Sequence, residues 1–112
     1  MDIRLKTEKY TVGEREYTLT CNMNVLAEVQ EANGGDLLGA LDGKRSMRTA
    51  LLVGAAMLND CAEEHGWSER YTEKTLGRAI PPQDAVKFTA IVHELLSSAL
   101  TSGEDKENSK KN

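Results

Sequence analysis

Two periods of apolar spacing divide this chain. From residue 3 to 21, Ile3 and Leu5 alternate with Arg4 and Lys6, Tyr10 and Val12 share one face, and Tyr17, Leu19 and Cys21 repeat the same step. A period of two is that of a half-buried strand. Gly13-Glu14-Arg15-Glu16 interrupts it. Glycine takes a positive φ without steric cost, so the pattern predicts a hairpin turning there. A lone hairpin is marginal in water, and the later segments must supply the surface it lies on.

From residue 22 the period becomes helical. Asn22 or Asn24 is a suitable N-cap for a helix to about Ala32, with Val25, Leu26, Val29 and Ala32 on one face and Glu28 and Glu31 opposite. Asn33-Gly34-Gly35 suits a left-handed helix end. Asp36 to Gly43 holds Leu37, Leu38 and Leu41 among glycines, enough for one weak turn. Ser46 caps the clearest helix: Met47, Ala50, Leu51, Gly54, Met57, Leu58 and Cys61 follow the helical template. Leu52, Val53, Ala55 and Ala56 make its middle apolar on nearly every side, the mark of a helix buried all round. Either the hairpin folds across it or another chain covers one face. It ends at Glu63-Glu64-His65 before Gly66.

Thr72 caps a short helix to Ala79, and Pro81-Pro82 breaks it because residues before proline leave the helical region. Pro82 and Asp84 suit the first turn of a last helix to about Thr101, with Ala85, Phe88, Thr89, Val92, Leu95, Leu96 and Ala99 as its stripe. The predicted fold is α+β, an N-terminal β-hairpin packed on a small bundle of about four helices. Residues 102–112 contain no apolar side chain and cannot offset the entropy of ordering. The expected organisation is one globular domain, 1–101, and a disordered polar tail, 102–112.

Composition narrows the function classes. The longest apolar run, Ala50 to Leu58, falls well short of the roughly 20 residues of a spanning helix. No basic, apolar leader is present, so the cytosol is the default location. Cys21 and Cys61 cannot staple a chain of 112 residues, and in a reducing compartment they read as small buried hydrophobes. The net charge is −4, and the tail's three acids cancel its three lysines, so the charge belongs to the domain. An acidic domain is a poor match for a phosphate backbone.

No catalytic constellation emerges. Cys61 and His65 share a helix face, but a metal would need two further ligands, and only Cys21, His93 and scattered carboxylates remain. Glu63-Glu64-His65 lacks the order and spacing of the zinc-helix motif, and Asn33-Gly34-Gly35-Asp36 lacks the Gly-Lys-Ser/Thr ending of a phosphate loop. Thr72 to Leu100 reads as helix, tight turn, helix, which invites a DNA-binding reading. The second helix offers only Lys87 to base edges, beside Asp84 and Glu94. The expectation is a protein without enzymatic activity, metal or cofactor. Protein binding remains: Trp67 and Tyr71 are either interface anchors or a lid on the core, and Leu37, Leu38 and Leu41 either dock on the body or form an adaptable contact.

The whole layout resembles the small tail assembly chaperones of long-tailed bacteriophages and related gene transfer particles. The resemblance runs through Tyr10-Thr-Val-Gly13 and Tyr17-Thr-Leu19, Val25-Leu26 before Gly34-Gly35, the Ala50–Leu58 helix, Tyr71-Thr72-Glu73 into Leu76-Gly77, Ile80-Pro81 before a long last helix, and a Lys/Glu/Asn tail. It implies a non-enzymatic role in the host cytoplasm: binding the tape measure protein, keeping it soluble, and promoting polymerisation of tail tube protein around it. It implies neither nucleic acid nor membrane as partner, and leaves homo-oligomers open. In such families a ribosomal frameshift often appends a second domain, and Lys110-Lys111 is where an adenine-rich slippery run is expected. The alternatives are a small helical adaptor with another protein partner, or a DNA-binding regulator.

Overall fold

The computed structural model describes residues 5–35 and 47–111, with side chains described through residue 100. Strands β1 (Glu8–Val12) and β2 (Arg15–Leu19) pair antiparallel, Tyr10 opposite Tyr17 and Val12 opposite Arg15. That register leaves a two-residue loop. Gly13 has φ 65° and Glu14 is not in the positive region, the type II′ pattern in which glycine takes the first loop position. The strands are shorter than the alternation predicts: Leu5 and Lys6 precede β1, and Ile3 and Arg4 lie outside the described residues. Tyr10, Val12, Tyr17 and Leu19 are all buried on one face of the hairpin, with Glu8 and Arg15 at the ends of that face.

Four helices follow among the described residues, which confirms the α+β, mostly helical class. Helix α1 (Met23–Ala32) is capped by Asn22, whose Oδ1 accepts from the Val25 N–H at 2.9 Å. Gly34 and Gly35 take positive φ after it, as the Asn-Gly-Gly run predicts. Helix α2 (Met47–His65) is the central element, contacted by α1, β2, α3 (Glu73–Ala79) and α4 (Ala85–Lys111). Its buried positions from Ala50 to Ala62 include Val53, Gly54, Ala55, Ala56, Met57 and Leu58. The hairpin and the other helices therefore cover it within one chain. Met47 departs from the predicted stripe: it stands in the first turn, 63% exposed. The Ser46 cap and the leucines of 36–43 lie outside the described residues.

At Gly54 the absence of a side chain is required. A Cβ there would stand 2.5 Å from Phe88 Cζ, so glycine lets α4 close on α2. Helix α3 opens with a capping box: the Thr72 N–H donates to Thr75 Oγ1 at 2.7 Å, and the Thr75 N–H donates to Thr72 Oγ1 at 3.1 Å. Pro82–Asp84 form one 3-10 turn that leads into α4. The inner stripe of α4 is as read, with Phe88, Val92, Leu95 and Leu96 buried. The helix does not stop at Thr101; its backbone stays helical to Lys111. No proline follows Thr101, and Glu, Lys and Ser all tolerate a helix, so composition marks no break where the apolar stripe ends.

Candidate functional site

Among the described residues, two apolar surfaces lie at the edge of the closed core. The first is a corner between the hairpin and the loop after α2. Gly66, at φ 76°, ends α2 and turns the chain so that Trp67 lies back on it. The Trp67 ring meets Tyr17 edge-on at 5.5 Å and stacks with His65 at 4.6 Å, and the Arg15 guanidinium sits 4.2 Å from its centroid. The His65 Nδ1 donates to the Cys61 carbonyl at 2.9 Å, which holds the ring in place for that stack. Tyr71 packs beside them, its pKa raised to about 12 by burial first and then by Tyr17 and Glu69. Trp67 and Tyr71 are thus brought together and both pack against the core.

Tyr71 is held by a residue that the apolar reading of α2 passes over. Asn59 is 8% exposed. Its Oδ1 accepts from the Tyr71 N–H, and its Nδ2 donates to the Tyr71 carbonyl and to Glu28 Oε2, each at 2.8 Å. The backbone of the loop is thereby tied to α2 and α1 at once. The signal was present: a lone amide at the end of Ala55-Ala56-Met57-Leu58 must find partners if the helix is buried.

The second surface runs along α4. Val86 is 82% exposed and Leu100 51%, and with Met47 they are among the largest exposed hydrophobics of the described residues. Met47, Val86, Ala90 and Ser97 border an open groove of about 830 Å³ that reaches the ion pair of Lys6 and Glu94. A second, apolar recess of about 350 Å³ lies between α2, α3 and α4, with Leu51, Ile80 and Phe88 in its walls. Met47, Ala85 and Thr89 line both, so the two adjoin. The remaining predicted contact residues, Leu37, Leu38 and Leu41, lie outside the described residues. Lys110 and Lys111 fall in the helical backbone of α4.

Charge is distributed unevenly. Asp60, Glu63 and Glu64 on the last turns of α2 line one recess with Asn22 and Asn24, and Glu28 and Glu31 stand further along α1, which carries no Lys or Arg. Arg48, Lys74 and Arg78 lie instead at the start of α2 and on α3, Arg48 paired with Glu73 at 3.3 Å. Among the described residues no group of three His, Cys, Asp or Glu side chains is placed to hold a metal. Cys21 and Cys61 are free and buried, and burial pushes the Cys21 thiol up to about 11. Among the described residues no helix is long and apolar enough to cross a membrane. No family model, no curated protein and no solved structure matches the chain.

Proposed function

We propose that this protein is a tail assembly chaperone of the phage type, acting without catalysis in the host cytoplasm. It binds the tape measure protein, keeps it soluble and promotes polymerisation of tail tube protein around it. The observation that carries the reading is the groove along α4. An apolar surface left open on a domain this small marks a contact site, and Val86 and Met47 stand in it at 82% and 63% exposure. A long helical rod with bare apolar surface aggregates unless something covers it. A domain that offers an apolar groove on one side and acidic side chains on α1 and α2 elsewhere can cover such a rod and leave charge facing solvent. Several copies along one rod would gain avidity from weak single contacts.

Co-expression with the tape measure protein encoded by the same genome tests this. The expected result is co-purification and a higher soluble yield of the tape measure. Neither effect, with both proteins expressed, overturns the reading.

A further inference from the structure

The recess between α2, α3 and α4 differs in kind from the open groove it adjoins. Met47, Leu51, Ile80, Pro81, Pro82 and Phe88 form most of its wall, and Thr89 is the one polar side chain among the described lining residues. No Lys, Arg, His, Asp or Glu is among them. A charged occupant would lose its water there and gain no partner. The wall itself therefore selects an uncharged, apolar group. Size narrows the class further. A dry cavity of about 150 Å³ lined by Leu, Ile and Phe takes up benzene. This recess, at about 350 Å³, has room for a two-ring system, and a single leucine would leave much of it unfilled. The wall also suits a ring: Met47 brings a polarisable sulfur and Phe88 an aromatic neighbour.

The chain has no aromatic ring to spare for this place. It holds one Trp, three Tyr and one Phe. Tyr10, Tyr17 and Phe88 are buried in the core, and Trp67 and Tyr71 pack against it in the corner. Residues 1–4 and 36–46 contain none of the five. Neither a second copy nor another segment of the chain can therefore supply the ring. Resting on the chaperone reading for the identity of the partner, we propose that the recess receives a tryptophan side chain of the partner protein. The rest of the bound segment passes over Met47, which lines both recess and groove.

The probe is N-acetyltryptophanamide, compared with N-acetylleucinamide and N-acetyllysinamide, and binding to the full chain is read by amide chemical shifts. The tryptophan probe should bind at about 0.1–1 mM, the range for a ligand of that size. Its largest shifts should fall on Leu51, Gly77, Ile80 and Phe88. The leucine probe should bind at least about fivefold more weakly, and the lysine probe should not saturate by about 10 mM. Gly77→Leu narrows the recess: a Cβ there stands 3.4 Å from Leu51 Cδ1, an ordinary contact, so the helix tolerates it. Ile80→Glu puts a charge in the wall. Each should weaken the tryptophan probe roughly tenfold or more, with circular dichroism monitoring the fold. Met23→Ser removes an exposed methionine away from the recess and should change nothing. No saturable binding, shifts centred elsewhere, equal affinity for the leucine probe, or binding that survives both wall variants overturns the proposal. If the wild type binds nothing but Leu37→Ser with Leu38→Ser and Leu41→Ser does, the chain's own leucines are the occupant and the proposal falls. A dimer of the chain alone, seen by ultracentrifugation and dissolved by Gly77→Leu, overturns it in favour of a second copy. Co-expression separates the two levels. If Gly77→Leu co-purifies with the tape measure as well as the wild type does, the recess is not the contact and the chaperone reading stands. If the wild type binds the tryptophan probe but not the tape measure, the recess stands and that reading falls.

Discussion

The aromatic corner and the α4 groove are both apolar, yet they are used differently. In the corner, Trp67 is contacted by Tyr17, His65 and Arg15, and Asn59 fixes the neighbouring loop through both backbone groups of Tyr71. Its apolar area is already in contact. In the groove, Val86 and Met47 have the same kind of area and leave most of it exposed. Residue type alone does not separate the two. Tryptophan and tyrosine are the usual anchors of interfaces, but here they join the hairpin to the helices, and the apolar part of the open surface is Met47, Val86, Ala85 and Ala90 set among Lys6, Glu94 and serines. Among the described residues, what separates them is whether a second element reaches the residue.

The sharpest way to break this contrast is to remove the corner. Tyr17 is 1% exposed and lies between β1 and the Trp67 ring. Tyr17→Ala removes a buried ring and leaves a cavity, and should cost about 3–5 kcal/mol, the range for large aromatic truncations. A small domain has about 5–15 kcal/mol in total, so urea denaturation should show a large loss or no folded baseline. A change under 1 kcal/mol would mean that the corner is not part of the core. Trp67→Ala is the next step down. The ring is half-buried and an exposed side remains, so a loss of about 2 kcal/mol is expected by the same measurement.

The tyrosines give a test by pH. Tyr71 in the corner and Tyr10, whose hydroxyl donates to Asp84 Oδ2 at 3.0 Å, both have pKa values raised to about 12, by burial first and then by Asp84 for Tyr10 and by Tyr17 and Glu69 for Tyr71. A phenol with a folded pKa above its unfolded value of 10.0 holds its proton more tightly in the folded state. Its contribution to stability is therefore complete below about pH 10 and is lost as pH rises through about 12. Denaturation midpoints measured across that window should fall, and ultraviolet titration should show two phenols ionising late. Tyr71→Phe should remove one of the late ionisations and make the fall less steep.

The backbone plan was legible where a residue has a single conformational use. Gly13 in a two-residue turn, Asn22 as a cap, Thr72 before α3 and Pro81-Pro82 ahead of α4 each act through local geometry, and each stands where the pattern puts it. The groove was not legible, because exposure is decided at long range. Met47 fits the apolar template of α2 and fails it only because no described element covers the first turn of that helix. Val86 sits one residue from the inner stripe of α4, and nothing in its own neighbourhood distinguishes an outer seam from an isolated surface valine. The helical backbone beyond Thr101 was missed for a related reason: the polar composition that prevents packing does not by itself prevent a helix.

The smallest expected effect is the most discriminating. Val86→Thr exchanges a methyl group for a hydroxyl with little change in shape, at a side chain 82% exposed. If the groove is open, stability should stay within about 0.5 kcal/mol of wild type, as for surface substitutions away from packed features. Arg15→Gln supplies the matching control in the corner. It removes the contact of the guanidinium with Trp67, while the Glu69 carboxylate stands at the 4.0 Å limit of an ion pair and contributes little. An exposed cation–π contact is worth about 0.5–1 kcal/mol, so Arg15→Gln should be measurably the more destabilising of the two. Both substitutions lie at the surface and change no buried volume. A larger loss for Val86→Thr than for Arg15→Gln would show that Val86 is already covered in solution, and the contrast between a filled corner and an open groove would fail at its weakest contact.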